Sequence, residues 1–311
     1  MQNKQQAVAI IGGGVMGAGI AAIFGAGGWH VHVMSPTPAT RESLPARVRA
    51  AQAQIDGAPA NIALQVHASL DALPWSNIDF VVEAVTEELA LKQTIFAQLE
   101  ALSRPDTPLA SNASIVPISQ ISAGLNSRGR MLGLHFFMPA HLVPLVEVVS
   151  GADTDAAVAE QTCALMRALG KEPIHVKKDI PGFVGNRIQH AMMREALYLV
   201  QDGIVSPEDV DRAVRYGFGF RFMACGPMMQ KEMSGWDTNF RSGNGVYPHL
   251  HNEDQTPPII GQMVEEGRYG MKSGHGFWDW TPAEVDAEKA RIEAALQQAL
   301  KMLTAGDRGN D

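Results

Sequence analysis

The sequence predicts an α/β protein, with a doubly wound, mainly parallel sheet followed by a smaller, all-helical C-terminal domain. Three observations carry that prediction. The first is the order strand, glycine turn, helix, strand in AVAIIGGGVMGAGIAAIFGAGGWHVHVMS, residues 7–35. The second is a series of short, nearly uncharged runs such as DFVVEAV and LVEVV, which suit strands covered on both faces. The third is a change of character near Asp179, after which nearly every segment has helical spacing. Residues 1–178 are therefore expected to form the sheet domain and 179–311 the helical one, a division that 311 residues can support.

The first strand, Ala7–Ile11, runs into three glycines, and a small-residue helix begins at Val15. Gly12, Gly14 and Gly17 satisfy G-x-G-x-x-G in the strand-to-helix context where that spacing has mechanical meaning. The first glycine turns the chain, the second admits a pyrophosphate and the third lets helix and strand approach. Free N–H groups of Val15 and Met16 then open the helix at its positive end. This predicts a Rossmann-type site for a dinucleotide. Residues 7–28 carry no charge, but eight of these 22 residues are glycine, which is poor composition for a membrane span.

The second strand ends at Met34, where an NAD site ordinarily places Asp or Glu against the ribose hydroxyls. Here the position holds Ser35, with Arg41 a turn later. Hydroxyls and a guanidinium suit a 2′-phosphate, although Arg41 is equally the start of a solvated helix, so NAD and NADP both remain open. Residues 41–55 are expected as an exposed helix, residues 62–66 as a short strand, 79–85 as a buried strand and 87–102 as an amphipathic helix. The strand at 108–110 ends in Ser111-Asn112-Ala113-Ser114. Such a cluster past a strand's carboxyl end marks a ligand position in an open α/β sheet, and also serves as an ordinary helix cap.

Residues 131–137 and 144–149 are two more apolar strands, and each carries one ionisable residue of interest, His135 and Glu147. Alternation sets Glu147 among aliphatic neighbours, where an unpaired carboxylate costs several kcal/mol, so it needs a partner. His135 is the candidate. A carboxylate on one ring nitrogen fixes the tautomer and leaves the other free as a base, whereas a lone buried histidine is commonly just a satisfied core residue. His135, His141 and Glu147 match no metal-binding spacing, and no metal is expected.

Residues 155–169 read as a helix closed by Gly170, and 172–177 as the last strand. Beyond Asp179 come a long amphipathic helix at 184–201, a helix capped by Ser206 and a terminal helix opened by Thr281 and Glu284 as a capping box. With a net charge of −8 and no basic block, nucleic acid is not the expected partner. Cys163 and Cys225 form no metal or redox motif, and without a second long apolar run or targeting peptide the expectation is a soluble, cytoplasmic protein.

Taken in order, IGGGVMGAGIA, VVEAVTEELALK, ASNAS, GLHFFMPAHLVPLVEVV, DIPGFVGNRI and GMKSGHGFWDW resemble the L-3-hydroxyacyl-CoA dehydrogenase family, over residues 7–280. That family also includes carnitine dehydrogenase and lambda-crystallin, an L-gulonate dehydrogenase. The resemblance implies an oxidoreductase using NAD or NADP, active on the 3-hydroxyl of an L-3-hydroxyacyl-CoA, as in fatty acid metabolism, or of a related CoA-free 3-hydroxy acid. It also implies a homodimer built through the helical domain. By position, His135 corresponds to the general base and Glu147 to its orienting carboxylate. Ser114 and Asn186 match side chains that position the substrate. Ala84, Glu87, Lys92, Asn112 and Lys272 match residues near the dinucleotide, with Gly12, Gly14, Val15, Met16, Gly17 and Ser35.

Three departures stand out. Met138 replaces the usual Asn after HFF, Ser35 replaces the ribose acid, and residues 35–80 contain no lysine where the acyl-CoA enzymes carry a lysine-bearing arm that docks CoA. The 6-phosphogluconate-type dehydrogenases share the glycine loop but need a lysine at the start of the long helix, and PGFVGNRIQH has none. A non-catalytic, nucleotide-binding structural role is the alternative outside enzymes. The joint presence of His135, Glu147, Ser114 and Asn186 argues against it.

Overall fold

The computed structural model describes residues 5–307. It divides into two compact units, one ending at Asn186 and the other beginning at Arg187. Residues 179–186, which sequence reading assigns to the helical part, fold with the sheet. Phe183 is buried there, and the backbone amides of Val184 and Gly185 donate to Glu147.

The first unit holds eight strands: β1 (Ala7–Ile11), β2 (His30–Met34), β3 (Leu64–His67), β4 (Phe80–Glu83), β5 (Leu109–Ser111), β6 (Met131–Phe136), β7 (Leu145–Ser150) and β8 (Glu172–Val176). Their order across the sheet is β3-β2-β1-β4-β5-β6-β7-β8. All neighbours are parallel except β6 and β7, which run antiparallel. The connection reverses direction between β1 and β4, so the crevice where such sheets hold ligands opens at the carboxyl ends of these two strands.

Helices cover both faces, because the strands are apolar on both sides. On one face α1 (Val15–Ala26), α2 (Pro38–Gln52) and, later in the chain, residues 156–168 contribute Ile20, Phe24, Leu44, Val48 and Met166 to a core with Val8 and Ile10. On the other, α3 (Leu89–Leu102) and the single turn α4 (Ile118–Ile121) set Phe96, Leu99 and Ile121 against Ala9, Ile11 and Val81. Residues 156–168 form α5. α2 starts three residues earlier than its spacing suggests, since Thr37 precedes a proline suited to the first helical position. α3 starts later, because the Glu87 side chain is engaged by another loop.

Helix α6 (Gly185–Gln201) leads into the second unit, followed by α7 (Pro207–Ala213), α8 (Gly219–Phe222), α9 (Pro227–Ser234), α10 (Trp236–Val246), α11 (Pro258–Glu265) and α12 (Pro282–Asp307). Ser206 caps α7 by accepting the Asp209 amide. Thr281 and Glu284 form the reciprocal pair at the start of α12. Met233 and Phe240, on α9 and α10, are 79% and 72% exposed, an unusual abundance of apolar surface for one hairpin. No helix among the described residues is long and apolar enough to cross a membrane.

Candidate active site

β6 and β7 run side by side with His135 directly opposite Glu147. Residues paired in this way share one face of the sheet, and their side chains meet. His135 Nδ1 lies 2.7 Å from Glu147 Oε2, with both residues buried. The other carboxylate oxygen, Oε1, accepts the amides of Val184 and Gly185, each at 2.9 Å. These amides belong to the entry of α6, so the positive end of that helix faces the carboxylate. Gly182 and Phe183 both adopt positive φ, +75° and +48°, which turns the chain so that the two amides aim inward.

Burial pushes the Glu147 carboxyl up. The hydrogen bonds from His135, Gly185 and Val184 outweigh it and hold the group below the usual carboxylate value. An ionised carboxylate only accepts hydrogen bonds, so Nδ1 carries the hydrogen, and in the neutral imidazole the lone pair is then on Nε2. Phe137 and Phe183 rings lie 4.6 and 5.8 Å from the imidazole and fix its plane.

The strand-end cluster after β5 lies beside this pair. Asn112 Oδ1 accepts the Phe136 amide at 3.0 Å, tying the loop to β6 one residue from His135. Asn186 Nδ2 donates to the Ser114 carbonyl at 3.4 Å, so these two candidates are neighbours. The loop itself is held by Glu87, whose Oε1 accepts the amides of Ser114, Ile115 and Val116. Burial raises the Glu87 carboxyl, but the Ile115 amide, the Lys92 charge and the Val116 and Ser114 amides bring it below its ordinary value.

Lys92 is fully buried. Its Nζ donates to both oxygens of Glu83, at 2.8 and 3.0 Å, and lies 3.5 Å from Glu87. Ser111 Oγ donates to Glu83 at 2.6 Å and the Val85 amide at 2.7 Å. Sequence reading placed Ser111 only within the strand-end cluster and did not single out Glu83, yet Glu83 in DFVVEAV carries the same signal as Glu147, a carboxylate inside an apolar strand. Lys272 belongs to the second unit, where it is exposed. His141 makes its ring contact with Gln54, at 3.4 Å.

The glycine loop fits a dinucleotide. A Cβ on Gly12 would fall 2.4 Å from the Ala84 carbonyl oxygen, and one on Gly17 would fall 1.9 Å from the Gly12 oxygen, so loop, strand and helix are packed as closely as backbone allows. A Cβ on Gly14 would meet nothing within 4 Å, which leaves room where a pyrophosphate approaches. The first turn of α1 has neither a capping side chain nor an acid, so its amides are available to an anion. Ser35 is buried, and Arg41 Nη1 donates to the carbonyls of Ser35 and Pro36 at 2.9 and 2.6 Å. Arg47, which has the spacing of an exposed helix residue, instead reaches the carbonyls of Gly13 and Gly14 at 2.7 and 3.2 Å.

Comparison with known proteins adds to this geometry. The chain matches the model of the 3-hydroxyacyl-CoA dehydrogenase NAD binding domain over residues 7–180, and that of the 3-hydroxyacyl-CoA dehydrogenase C-terminal domain over 182–280. It is 33% identical over 305 residues to 5-formyl-3-hydroxy-2-methylpyridine 4-carboxylate 5-dehydrogenase of Mesorhizobium japonicum, covering 94% of this chain and 98% of the relative. A crystal structure of a dehydrogenase for that same pyridine carboxylic acid, described as an NAD+ dependent dismutase, superposes with a TM-score of 0.91 at 32% identity, covering 96% and 99% of the two chains. The structure of 3-hydroxybutyryl-CoA dehydrogenase from Escherichia coli gives a TM-score of 0.72 at 33% identity, covering 89% of this chain and 60% of that one. With both of its domains matched in order and a loop shaped for the dinucleotide, the chain belongs to the 3-hydroxyacyl-CoA dehydrogenase family of NAD-dependent oxidoreductases.

Proposed function

We propose that this protein oxidises a hydroxyl-bearing carbon of a small carboxylic acid that is not carried on coenzyme A, with His135 as general base. The observation that supports this reading is the buried His135 and Glu147 pair, in which two backbone amides hold the carboxylate so that only one oxygen is left for the imidazole. Nε2 takes the O–H proton as the C–H bond breaks, and the carbon becomes a carbonyl. Bound NAD supplies the acceptor for the departing hydride. Ser114 and Asn186 orient the substrate oxygens. The loop that carries Ser114 is braced by Glu87, and the imidazolium formed in the step is stabilised by Glu147. The Gly12–Gly17 loop and the amides of Val15 and Met16 hold the pyrophosphate.

Two observations favour a substrate without CoA. Residues 35–80 contain no lysine, the residue type that the resemblance places on the CoA-docking arm. The likeness to the pyridine carboxylate dehydrogenase also extends over nearly the whole of both chains. An aldehyde enters the same chemistry as its hydrate, whose O–H proton goes to His135 and whose hydride leaves to give an acid. The second reading, a 3-hydroxyacyl-CoA substrate, is supported by the likeness to the 3-hydroxybutyryl-CoA enzyme.

The test is a substrate panel with NAD: 5-formyl-3-hydroxy-2-methylpyridine 4-carboxylate, L-3-hydroxybutyrate, L-carnitine, L-gulonate and L-3-hydroxybutyryl-CoA. Turnover of a free acid or aldehyde, lost in His135→Ala, is the expected result. Turnover of the thioester alone overturns the CoA-free reading. In this proposal the sheet domain, residues 1–178, binds the dinucleotide and the helical part joins two copies through the exposed apolar side chains of α9 and α10. The free thiols Cys163 and Cys225 suit a reducing, cytoplasmic setting.

A further inference from the structure

A dinucleotide site of this type distinguishes its two possible cofactors at the end of the second strand, where a carboxylate takes the ribose hydroxyls or a cation takes a 2′-phosphate. Ser35 stands at that place, and its Cβ would lie 3.2 Å from a Cβ built on Gly13, directly against the glycine loop. Residues 35–41 contain no acid. The first one afterwards, Glu42, is one helical step past Arg41 and points to a different side of α2. Arg41 folds back from the first turn of α2 onto the turn after β2, where its Nη1 holds the carbonyls of Ser35 and Pro36. Its Nε and Nη2 have no protein acceptor among the described residues, which leaves donors for an anion in the fork geometry that suits phosphate.

Two further features concentrate positive charge at this rim. Arg47 lays a second guanidinium against the same loop, on the carbonyls of Gly13 and Gly14. α2 carries three arginines and one glutamate in a chain whose net charge is −8. Thr37, the residue before α2, makes no side-chain capping bond, and the first turn of the helix contains no acid, so neither its cap residue nor its first turn neutralises its amino end.

We propose that the turn between β2 and α2 is a 2′-phosphate subsite, with Arg41 as the specificity-determining residue, and that the protein binds NADP(H) as well as NAD(H). This rests on the dinucleotide loop and not on the choice of substrate. The test is equilibrium binding to the full chain, by calorimetry, of NADH, NADPH and 2′,5′-ADP, without any turnover. NADPH is expected to bind within about thirtyfold of NADH, a gap of roughly 2 kcal/mol. Arg41→Ala should weaken NADPH and 2′,5′-ADP about tenfold or more while NADH moves less than about threefold, since only the former carry the 2′-phosphate. Ser35→Asp should weaken NADPH in the same way and leave NADH bound. A larger gap in the unmodified protein, or equal weakening of both dinucleotides by Arg41→Ala, overturns the proposal; the latter makes Arg41 only a fastener of the turn. Intact NADH binding in either case leaves the dehydrogenase reading standing, and its loss in the unmodified protein would sink both.

Discussion

Replacing Glu147 by glutamine separates its two jobs. Oε1 holds the Val184 and Gly185 amides, and a glutamine carbonyl oxygen can keep both. The other position then presents an NH2 group to His135 Nδ1, in place of the oxygen now 2.7 Å away. A donor facing Nδ1 forces the proton to Nε2, so the nitrogen needed as base becomes the wrong tautomer. The structural loss is one charge-assisted hydrogen bond, about 1.5–3 kcal/mol, while the loss of general-base action is roughly 10²–10⁴ in kcat. Glu147→Ala is different in kind. It strips partners from two amides and an imidazole in a buried site and should lower stability by about 3–5 kcal/mol. The assay compares kcat, its pH profile and urea midpoint for the two variants, on whichever panel substrate is turned over. The expected glutamine variant loses less in its denaturation midpoint than the alanine variant, binds NADH normally and is catalytically crippled. A glutamine variant with kcat within about threefold of native, at any stability, would show that tautomer control by Glu147 is not part of the mechanism.

Other perturbations follow from the same structure. Burial, and then the charges of His67 and His30, lower the His32 pKa from 6.5 to about 4, so between these values the unfolded chain binds a proton that the folded chain does not. Stability must therefore fall as pH drops through this window, by roughly 1.6 kcal/mol from pH 6.5 to 5, and the urea midpoint of the native protein should fall relative to that of His32→Leu on acidification. Gly17→Ala places a Cβ 1.9 Å from the Gly12 oxygen, which separates α1 from the loop, and should weaken NADH binding more than about tenfold by calorimetry. Gly185→Ala would drive a methyl to 2.5 Å from the Phe137 ring beside His135, and should reduce kcat more than NADH affinity. The proposed pairing of two copies through α9 and α10 predicts a dimer in sedimentation that Met233→Glu with Phe240→Glu converts to a monomer, with the helical circular dichroism signal unchanged.

Much of the sheet is legible because its strands advertise themselves. Runs such as residues 79–85 and 144–149 are too short and too evenly apolar for helices, and the glycine spacing identifies which pair of strands flanks the dinucleotide loop. The contact of His135 with Glu147 is legible for a related reason: a carboxylate at an inward position of an apolar strand must find a partner. Other parts leave no such trace. Arg47 looks like any exposed helix residue, since its carbonyl partners lie 33 and 34 positions away in sequence. Lys92 is matched to the neighbourhood of the dinucleotide by the resemblance alone, and its burial against Glu83, nine residues away, has no signature of its own in the sequence. The end of the first unit is hidden likewise, because residues 184 and 185 join the sheet through backbone amides, and an amide has no sequence signature.

That last point extends to the whole site. Three carboxylates surround it, and each binds backbone from a loop or strand end: Glu147 the amides of 184 and 185, Glu87 those of 114 to 116, and Glu83 that of Val85. A second group joins each of them, an imidazole for Glu147 and the buried Lys92 for both Glu83 and Glu87. A buried carboxylate satisfied only by a cation would have its net worth eroded by desolvation. Backbone amides change that balance, because they are rigid, already desolvated by the fold and in need of acceptors of their own. The same bonds that make the charges tolerable therefore fix the Ser114 loop and the entry of α6 relative to His135. The buried charges of Glu83 and Glu147 and the partly exposed one of Glu87 thus also hold loops in place, so removing any of the three carboxylates should disturb the placement of Ser114, Asn186 or His135 before it disturbs the core.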